Sequence, residues 1–413
     1  MTRPFKLLVF LLALLLVAGG SLAAVWAKRD DSQPVTILGP WTGTQEKQFE
    51  SVLRSFGIRF DYQGTAAERE VLLSEVQSGE PPDIAIMPGV GELAEYAGQQ
   101  RLKRLDGLFD EKEYGSPWNS VGKVAGHVYW VPVKADLKSI VWYRPGNKPA
   151  DSPAPLTNWC IGMGDDGTSG WPGSDWIEDL VLQRAGPDKY KQWVLGGQWT
   201  SDTVRTAWEA WAGLLRQNRN AARHALLTDS RGDPGKNGLL FSGWGGCTLE
   251  HQGSFARSFY HGKPAGLTDS APLLPKGPYR VRAHEVTGDF AALFSDRSQA
   301  QELIGKLASR EGQQKWAEFP DVFSANRQVP PKDGQVGQEI ATLLTGNGIR
   351  CLDASDVMAP AVRDAFYEAV MLTIARAADG SNIDIPGLLD DLQKVQNAQT
   401  PRHAALGKVC SPS

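Results

Sequence analysis

Apolar and polar positions after residue 33 alternate between two periods. Residues 34–39 form a short apolar run ending in glycine. Phe49, Val52, Leu53 and Phe56 then fall at i, i+3, i+4 and i+7, one face of a helix that starts near Thr44 and stops at Gly57. Residues 58–62 alternate as a strand, 66–77 read as a second helix stopped near Gly79, 82–88 form a third strand and 90–98 a third helix. This β-α-β-α-β-α order predicts a parallel sheet flanked by helices. Ligands of such sheets sit beyond the carboxyl ends of the strands, here Gly39-Pro40-Trp41 and Met87-Pro88-Gly89.

Further along, residues 128–142 are apolar and β-rich, broken by Lys134-Ala135-Asp136. A proline-rich passage, 145–155, leads into a region carrying Trp159, Trp171, Trp176 and Trp193. Val204, Trp208, Trp211 and Leu215 share one helical face and read as core. After a Pro/Gly linker at 271–280 come an apolar run at 286–294 and one long helix at 298–316. Two more helices, around 361–377 and 386–397, carry Val362, Phe366 and Val370, and Leu388, Leu392 and Val395, at helical spacing. No tandem repeat or low-complexity segment interrupts the pattern.

The first stretch belongs to targeting rather than to the fold. Arg3 and Lys6 precede an uncharged, Leu-rich run at 7–25, and Ser21-Leu22-Ala23 resembles a small-x-small cleavage site. The run is also about long enough to span a bilayer, with positive charge before it keeping the N-terminus inside. Residues 1–33 are thus a signal peptide or an N-terminal membrane anchor, and everything after Lys28 lies outside the cytoplasm. No Cys stands at a lipobox-like position after the run. Cys160, Cys247, Cys351 and Cys410 all fall in the exported part, where disulfides persist. They allow three pairings; Cys160–Cys247 with Cys351–Cys410 is the favoured one.

Lys plus Arg number 43 and Asp plus Glu 47, a net charge of −4, without the basic excess of a nucleic-acid binder. The 14 Trp are the unusual count. Most should fill a core, but flat apolar rings also suit partly polar ligands such as sugars. Catalytic patterns are scarce. Residues 162–167 spell GxGxxG, yet a loop follows where a dinucleotide site needs a helix. There is no GxxxxGK[ST], GxSxG, HExxH or CxxC. His251 beside Glu250 reads as a lone histidine, and Asp165-Asp166 and Asp390-Asp391 as a polar loop and a solvated helix face. No cofactor and no metal are expected.

Six segments, in order, resemble the extracytoplasmic sugar-binding proteins of ABC importers, of the larger maltose-binding-like type and its α-glucoside-binding branch. They are 79–84 with 93–102; 129–132 with 141–143; 159–162 with 169–179, the most specific; Cys247 with 251–255; 288–290 with the helix through Trp316 and 323–326; and 353–358. Together they span nearly the whole exported chain. The missing lipobox Cys departs from many members, and Cys351 stands where another residue is expected, as an extra clamp to Cys410. The resemblance implies a two-lobed α/β fold of the type II periplasmic-binding-protein kind, each lobe a mainly parallel sheet flanked by helices, joined by a multi-strand hinge. Lobe 1 would comprise 34–135 plus 279–320, and lobe 2 136–278 plus 321–413. The hinge would lie near 134–136, 278–282 and 319–326.

A sugar needs aromatic platforms and a few aimed polar groups. Trp41, Trp130, Trp171, Trp176 and Trp244 are the platform candidates, Asp175 and Asp289 the acceptors, Asn326 a donor and acceptor, and Met87 a further contact at a strand end. The implied partners are a sugar, an α-glucoside or another oligosaccharide, and ABC permease subunits, with membrane contact only through the N-terminal segment. The alternatives are a membrane-tethered sugar sensor or, less favoured, an extracellular sugar-acting enzyme.

Overall fold

The computed structural model describes residues 32–232, 237–276, 282–332, 334–399, 406 and 408–411. The export segment and most of the expected hinge stretch at 278–282 lie outside them. Among the described residues no helix is long and apolar enough to cross a membrane.

The N-terminal pattern folds as its periods dictate. Strand β1 (Val35–Gly39), helix α1 (Gly43–Arg54), β2 (Phe60–Gly64), α2 (Glu68–Ser78), β3 (Ile84–Met87) and α3 (Val90–Gly98) follow one another. β1 pairs in parallel with both β2 and β3. Phe49, Val52 and Leu53 of α1 are buried, as their spacing requires. Gly79 ends α2 in the left-handed region at φ 83°.

The sheet then grows through two long strands. β4 (Trp130–Leu137) is fully buried and unbroken. The expected interruption at 134–136 is absent; the chain turns after Leu137, with Ser139 at φ 58°, into β5 (Ile140–Tyr143). β5 pairs antiparallel with β6 (Leu249–His251) and β7 (Gly266–Asp269) in a separate three-stranded sheet. Among the described residues, parallel pairing in that second region is confined to the isolated bridges Trp159–Leu249 and Gly164–Asp229, which differs from the mainly parallel second sheet the resemblance implies. Antiparallel strands pair directly, whereas parallel neighbours need a crossover of a dozen or more residues.

β8 (Ala283–Leu293) returns to the large sheet. Its first half pairs in parallel with β9 (Ile349–Leu352), its second half antiparallel with β3, and its other edge antiparallel with β4. The strand order is β2–β1–β3–β8–β9–β10, where β10 (Cys410–Ser411) seals the edge and β4 joins at β8. Two disulfides, Cys160–Cys247 and Cys351–Cys410, close loops of the chain; the second fastens β10 to β9.

Helices α4 (Trp171–Gly196), α5 (Asp202–Leu215), α6 (Arg219–Leu227), α10 (Pro360–Asp379) and α11 (Ile385–Ala398) pack on one another, and α4 meets the small sheet where Trp176 and Asp179 contact His251 of β6. α4 is bent at Gly186 ahead of Pro187. Val204, Trp208, Trp211 and Leu215 of α5 are all fully buried, and the Trp208 indole donates to Thr373 Oγ1 of α10 at 3.0 Å. The helix expected at 298–316 is two, α7 (Ser298–Ala308) and α8 (Arg310–Trp316). Ser309 separates them because its extended backbone lets its hydroxyl cap Gly312 N at 3.2 Å. α9 (Gln335–Thr345) lies between α8 and β9 in the chain and packs on β4.

Candidate functional site

The path of β4 and β8 places a cavity of about 600 Å³ between the large-sheet half and the helical half. Its walls come from both. Pro40 and Trp41 follow β1, Pro88 follows β3, and Glu68 and Arg69 open α2; Asp165, Trp171, Asp175, Arg231 and Phe255 face them from the other body. Between them the two long strands contribute Lys134, Asp136, Thr287, Gly288 and Asp289. The cavity thus lies at the carboxyl ends of β1 and β3, where a parallel sheet opens to ligands.

The strands present charge here for a local reason. Lys134 and Asp136 lie two residues apart on one face of β4, and Lys138 just beyond its end also lines the cavity. The β4–β8 register slips between Asp289 and Phe290, beside Pro132, which has no N–H for the ladder. A bulge of this kind re-aims neighbouring side chains. Lys134 ion-pairs with Asp136, whose other oxygen accepts from Ser254 Oγ at 2.7 Å. Lys138 bridges Asp175 at 2.9 Å and Asp353. Its ammonium also lies 5.6 Å from the Trp171 ring centroid. Asp175, Glu178 and Asp353 converge closely enough to hold a metal ion, but the Lys138 ammonium already serves as the cation between Asp175 and Asp353. Burial, and then the charge of Asp353, push Glu178 well above the usual carboxylate range. Burial opposes the charge of Asp353, yet Lys138 and Ser355 hold it below that range.

Other cleft carboxylates are raised mainly by desolvation, Glu68 being buried and Asp289 and Asp356 half-buried. Asp289 rises to about 6, against the pull of Lys134 and the Trp41 indole hydrogen bond. Glu68 rises to about 7 despite Arg69, and Asp356 to about 7, with Asp353 adding to burial. The cations of the lining have carboxylate partners: Arg69 with Glu92, Lys134 with Asp136, Lys138 with Asp175 and Asp353, Arg231 with Asp165.

Trp41 is held from both sides of its backbone. Its N–H donates to Tyr62 Oη at 3.1 Å, and that hydroxyl donates back to its carbonyl at 3.0 Å. Its ring packs against Phe49 and Trp316 at 4.5 and 5.1 Å. Trp171, the first residue of α4, keeps partial exposure in the cavity and meets Phe255 edge-on at 5.6 Å.

Of the residues the sequence singles out, Trp41, Trp171, Asp175 and Asp289 line the cavity together. The other five stand elsewhere. Met87 ends β3 with its side chain wholly in the core, while its neighbour Pro88 reaches the cavity. Trp130 opens β4 and is 1% exposed. Trp176 packs edge-on to Trp159 at 4.7 Å and against His251 at 4.5 Å. Trp244 stacks on His224 at 3.7 Å, outside the cavity lining. Asn326 is fully buried and donates to Glu113 Oε2 at 2.7 Å. The sequence does not single out Lys134, Asp136 or Lys138 as site residues, although alternate charges in an otherwise apolar strand are a one-face signal. Nor does it single out Arg231, for which no local signal exists.

No protein-family model matches the chain. Among curated proteins it is 28% identical over 390 residues to the osmoprotective compounds-binding protein GgtB of Synechocystis sp., covering 86% of this chain and 91% of that one. It is 30% identical over 377 residues to the alpha-glucosides-binding periplasmic protein AglE of Rhizobium meliloti, covering 79% and 80%. Among solved structures it resembles the bacterial solute receptor AcbH, with a TM-score of 0.66 at 14% identity over 88% of this chain and 98% of that one. It also resembles the maltose-maltodextrin binding protein of Alicyclobacillus acidocaldarius, with a TM-score of 0.63 at 14% identity over 88% and 100%. These structures share the two-lobed type II fold, and with the cleft at its lobe junction the chain belongs to the family of extracytoplasmic solute-binding proteins of ABC importers.

Proposed function

We propose that this protein captures a neutral sugar, an α-glucoside or another oligosaccharide, in the cleft and delivers it unaltered to the permease subunits of an ABC importer. The observation that carries this reading is the composition of the cleft wall: the part-exposed Trp171 ring stands among carboxylates, and the lining cations have carboxylate partners. Aromatic faces cover the C–H faces of a pyranose, and carboxylates accept from its hydroxyls. An anionic solute would find no uncommitted cation among Arg69, Lys134, Lys138 and Arg231. A cavity of about 600 Å³ suits a small oligosaccharide. The names of two relatives, one binding α-glucosides and one osmoprotective compounds, point to the same class of small polar solute.

In this reading Trp171 is the platform, and Trp41, Asp175 and Asp289 complete the ligand contacts. The lobes exchange chain at 135/136 and 320/321, while the third expected exchange, at 278/279, falls outside the described residues; β4 with β8 carries the hinge. The 319–326 stretch supports it, since Ala135 N donates to Phe323 O at 2.8 Å within β4. Closure requires tighter binding to the shut form. The protein works on the outer side of the cytoplasmic membrane, reached through its N-terminal segment. Trp171→Ala should weaken binding of the sugar more than tenfold, about 1.4 kcal/mol or more, with an unchanged melting profile. Unaltered affinity would remove Trp171 from the site.

A further inference from the structure

Asp165 lines the cavity and looks like one more acceptor for a ligand hydroxyl. Its hydrogen bonds say otherwise. Oδ2 accepts from the Trp171 indole N–H at 2.8 Å and from Thr168 Oγ1 at 2.8 Å, while Oδ1 accepts from Arg231 Nη2 at 3.0 Å. Three protein donors therefore occupy this carboxylate. We propose that Asp165 is a positioning residue that fixes the Trp171 ring, and so the aromatic wall of the cleft, without touching the ligand. The functional part of this inference rests on Trp171 being the sugar platform.

The surroundings leave the indole few other ways to be held. Its backbone is set by Gly170 at φ 108°, where a Cβ would lie 2.6 Å from Tyr367 O. The Lys138 ammonium stands over the ring at 5.6 Å and Phe255 meets it edge-on at 5.6 Å. These contacts limit tilt, but the indole N–H needs an acceptor to fix the ring within its plane, and Asp165 is that acceptor. The literal GxGxxG of 162–167 explains how Asp165 reaches the spot. A Cβ on Gly162 would lie 2.2 Å from Asp229 O. Gly164 N donates to Thr228 O at 3.0 Å and Ser230 N to Gly164 O at 2.7 Å. The glycines thus lay this segment directly on 228–230, which delivers Arg231 to the outer oxygen of Asp165. A motif that resembles a phosphate cradle instead builds a brace for one tryptophan.

The test has two arms, using protein labelled with 5-fluorotryptophan and unlabelled maltose as the probe. The fluorine signal of Trp171 is assigned by its loss in Trp171→Phe. Asp165→Ala should shift and broaden that signal while leaving the other tryptophans in place. Asp165→Asn, which keeps an oxygen acceptor for the indole, should largely restore it. An unmoved Trp171 signal in Asp165→Ala overturns the inference. In the binding arm, Asp165→Ala should weaken maltose about tenfold in the wild-type background and less than about threefold in the Trp171→Ala background, because the two changes remove one effect. Equal losses in both backgrounds overturn the inference as well. Unchanged maltose affinity in Trp171→Ala alone counts instead against the platform reading. If the wild type itself ignores maltose, the fluorine signal decides.

Discussion

Single residues divide the cleft from the core by direction, not by type. Trp171 and Trp176 sit five positions apart on α4, so their side chains point about 140° apart around the axis. The first reaches the cavity and the second packs on Trp159. A reading by loop proximity could not separate them, since the start of α4 at Trp171 was not visible in the Gly/Pro-rich sequence before it. Lys134, Asp136 and Lys138 were legible in principle. Charges at every second position of an apolar strand belong to one face, although Lys134-Ala135-Asp136 also reads as a break in the strand. Asp289 offers a direct check on the electrostatics. Burial lifts it to about 6, so the folded protein keeps a proton that the unfolded chain has already lost above about pH 4. That stabilising difference is present below the unfolded value and fades as pH rises through about 6. Asp289→Asn mimics the neutral form. Its melting temperature relative to wild type should therefore rise between pH 4.5 and pH 7.5, and a constant gap would show that desolvation in the cleft does not raise Asp289.

Elements follow the sequence closely where contacts are local. The three βα units at the N-terminus appear within a few residues of their expected bounds, because their periods and glycine stops are written in consecutive residues. The break at Ser309 was missed because a serine cap inside an apolar helical pattern leaves the pattern intact. The three-stranded sheet was missed because β5, β6 and β7 are short and β5 is separated from its partners by about a hundred residues; no local pattern encodes such a pairing. The turn after β1 shows how two elements set one residue of the cavity lining. A Cβ on Gly64, the last residue of β2, would lie 2.0 Å from Trp41 O, whereas one on Gly98, at the end of α3, meets nothing within 4 Å. Gly64→Ala should lower both the melting temperature and sugar affinity, as the Trp41 backbone is forced from Tyr62. Gly98→Ala should leave affinity intact and stability equal or slightly higher. Equal behaviour of the two variants in calorimetry and titration would contradict this account of the turn.

At the scale of the whole molecule, a few long strands join two bodies, and the cavity lies against the paired β4 and β8. β8 pairs with β9, β3 and β4 along its length, so the same backbone belongs to the large sheet and to the cavity wall. The order of motifs along the chain makes this architecture readable in the sequence. The identity of the facing residues was not readable, since Asp165 and Arg231, or Lys138 and Asp353, meet only after long excursions of the chain. The two bodies should close when the cavity fills, with side chains from both halves sharing the ligand. Isothermal titration of the purified protein with neutral mono- and disaccharides, α-glucosides among them, tests this most directly. The account predicts a saturable one-to-one heat for at least one of these sugars, with no continuing heat of turnover. Silence across the whole panel, or a heat that persists as the sugar is consumed, would contradict it.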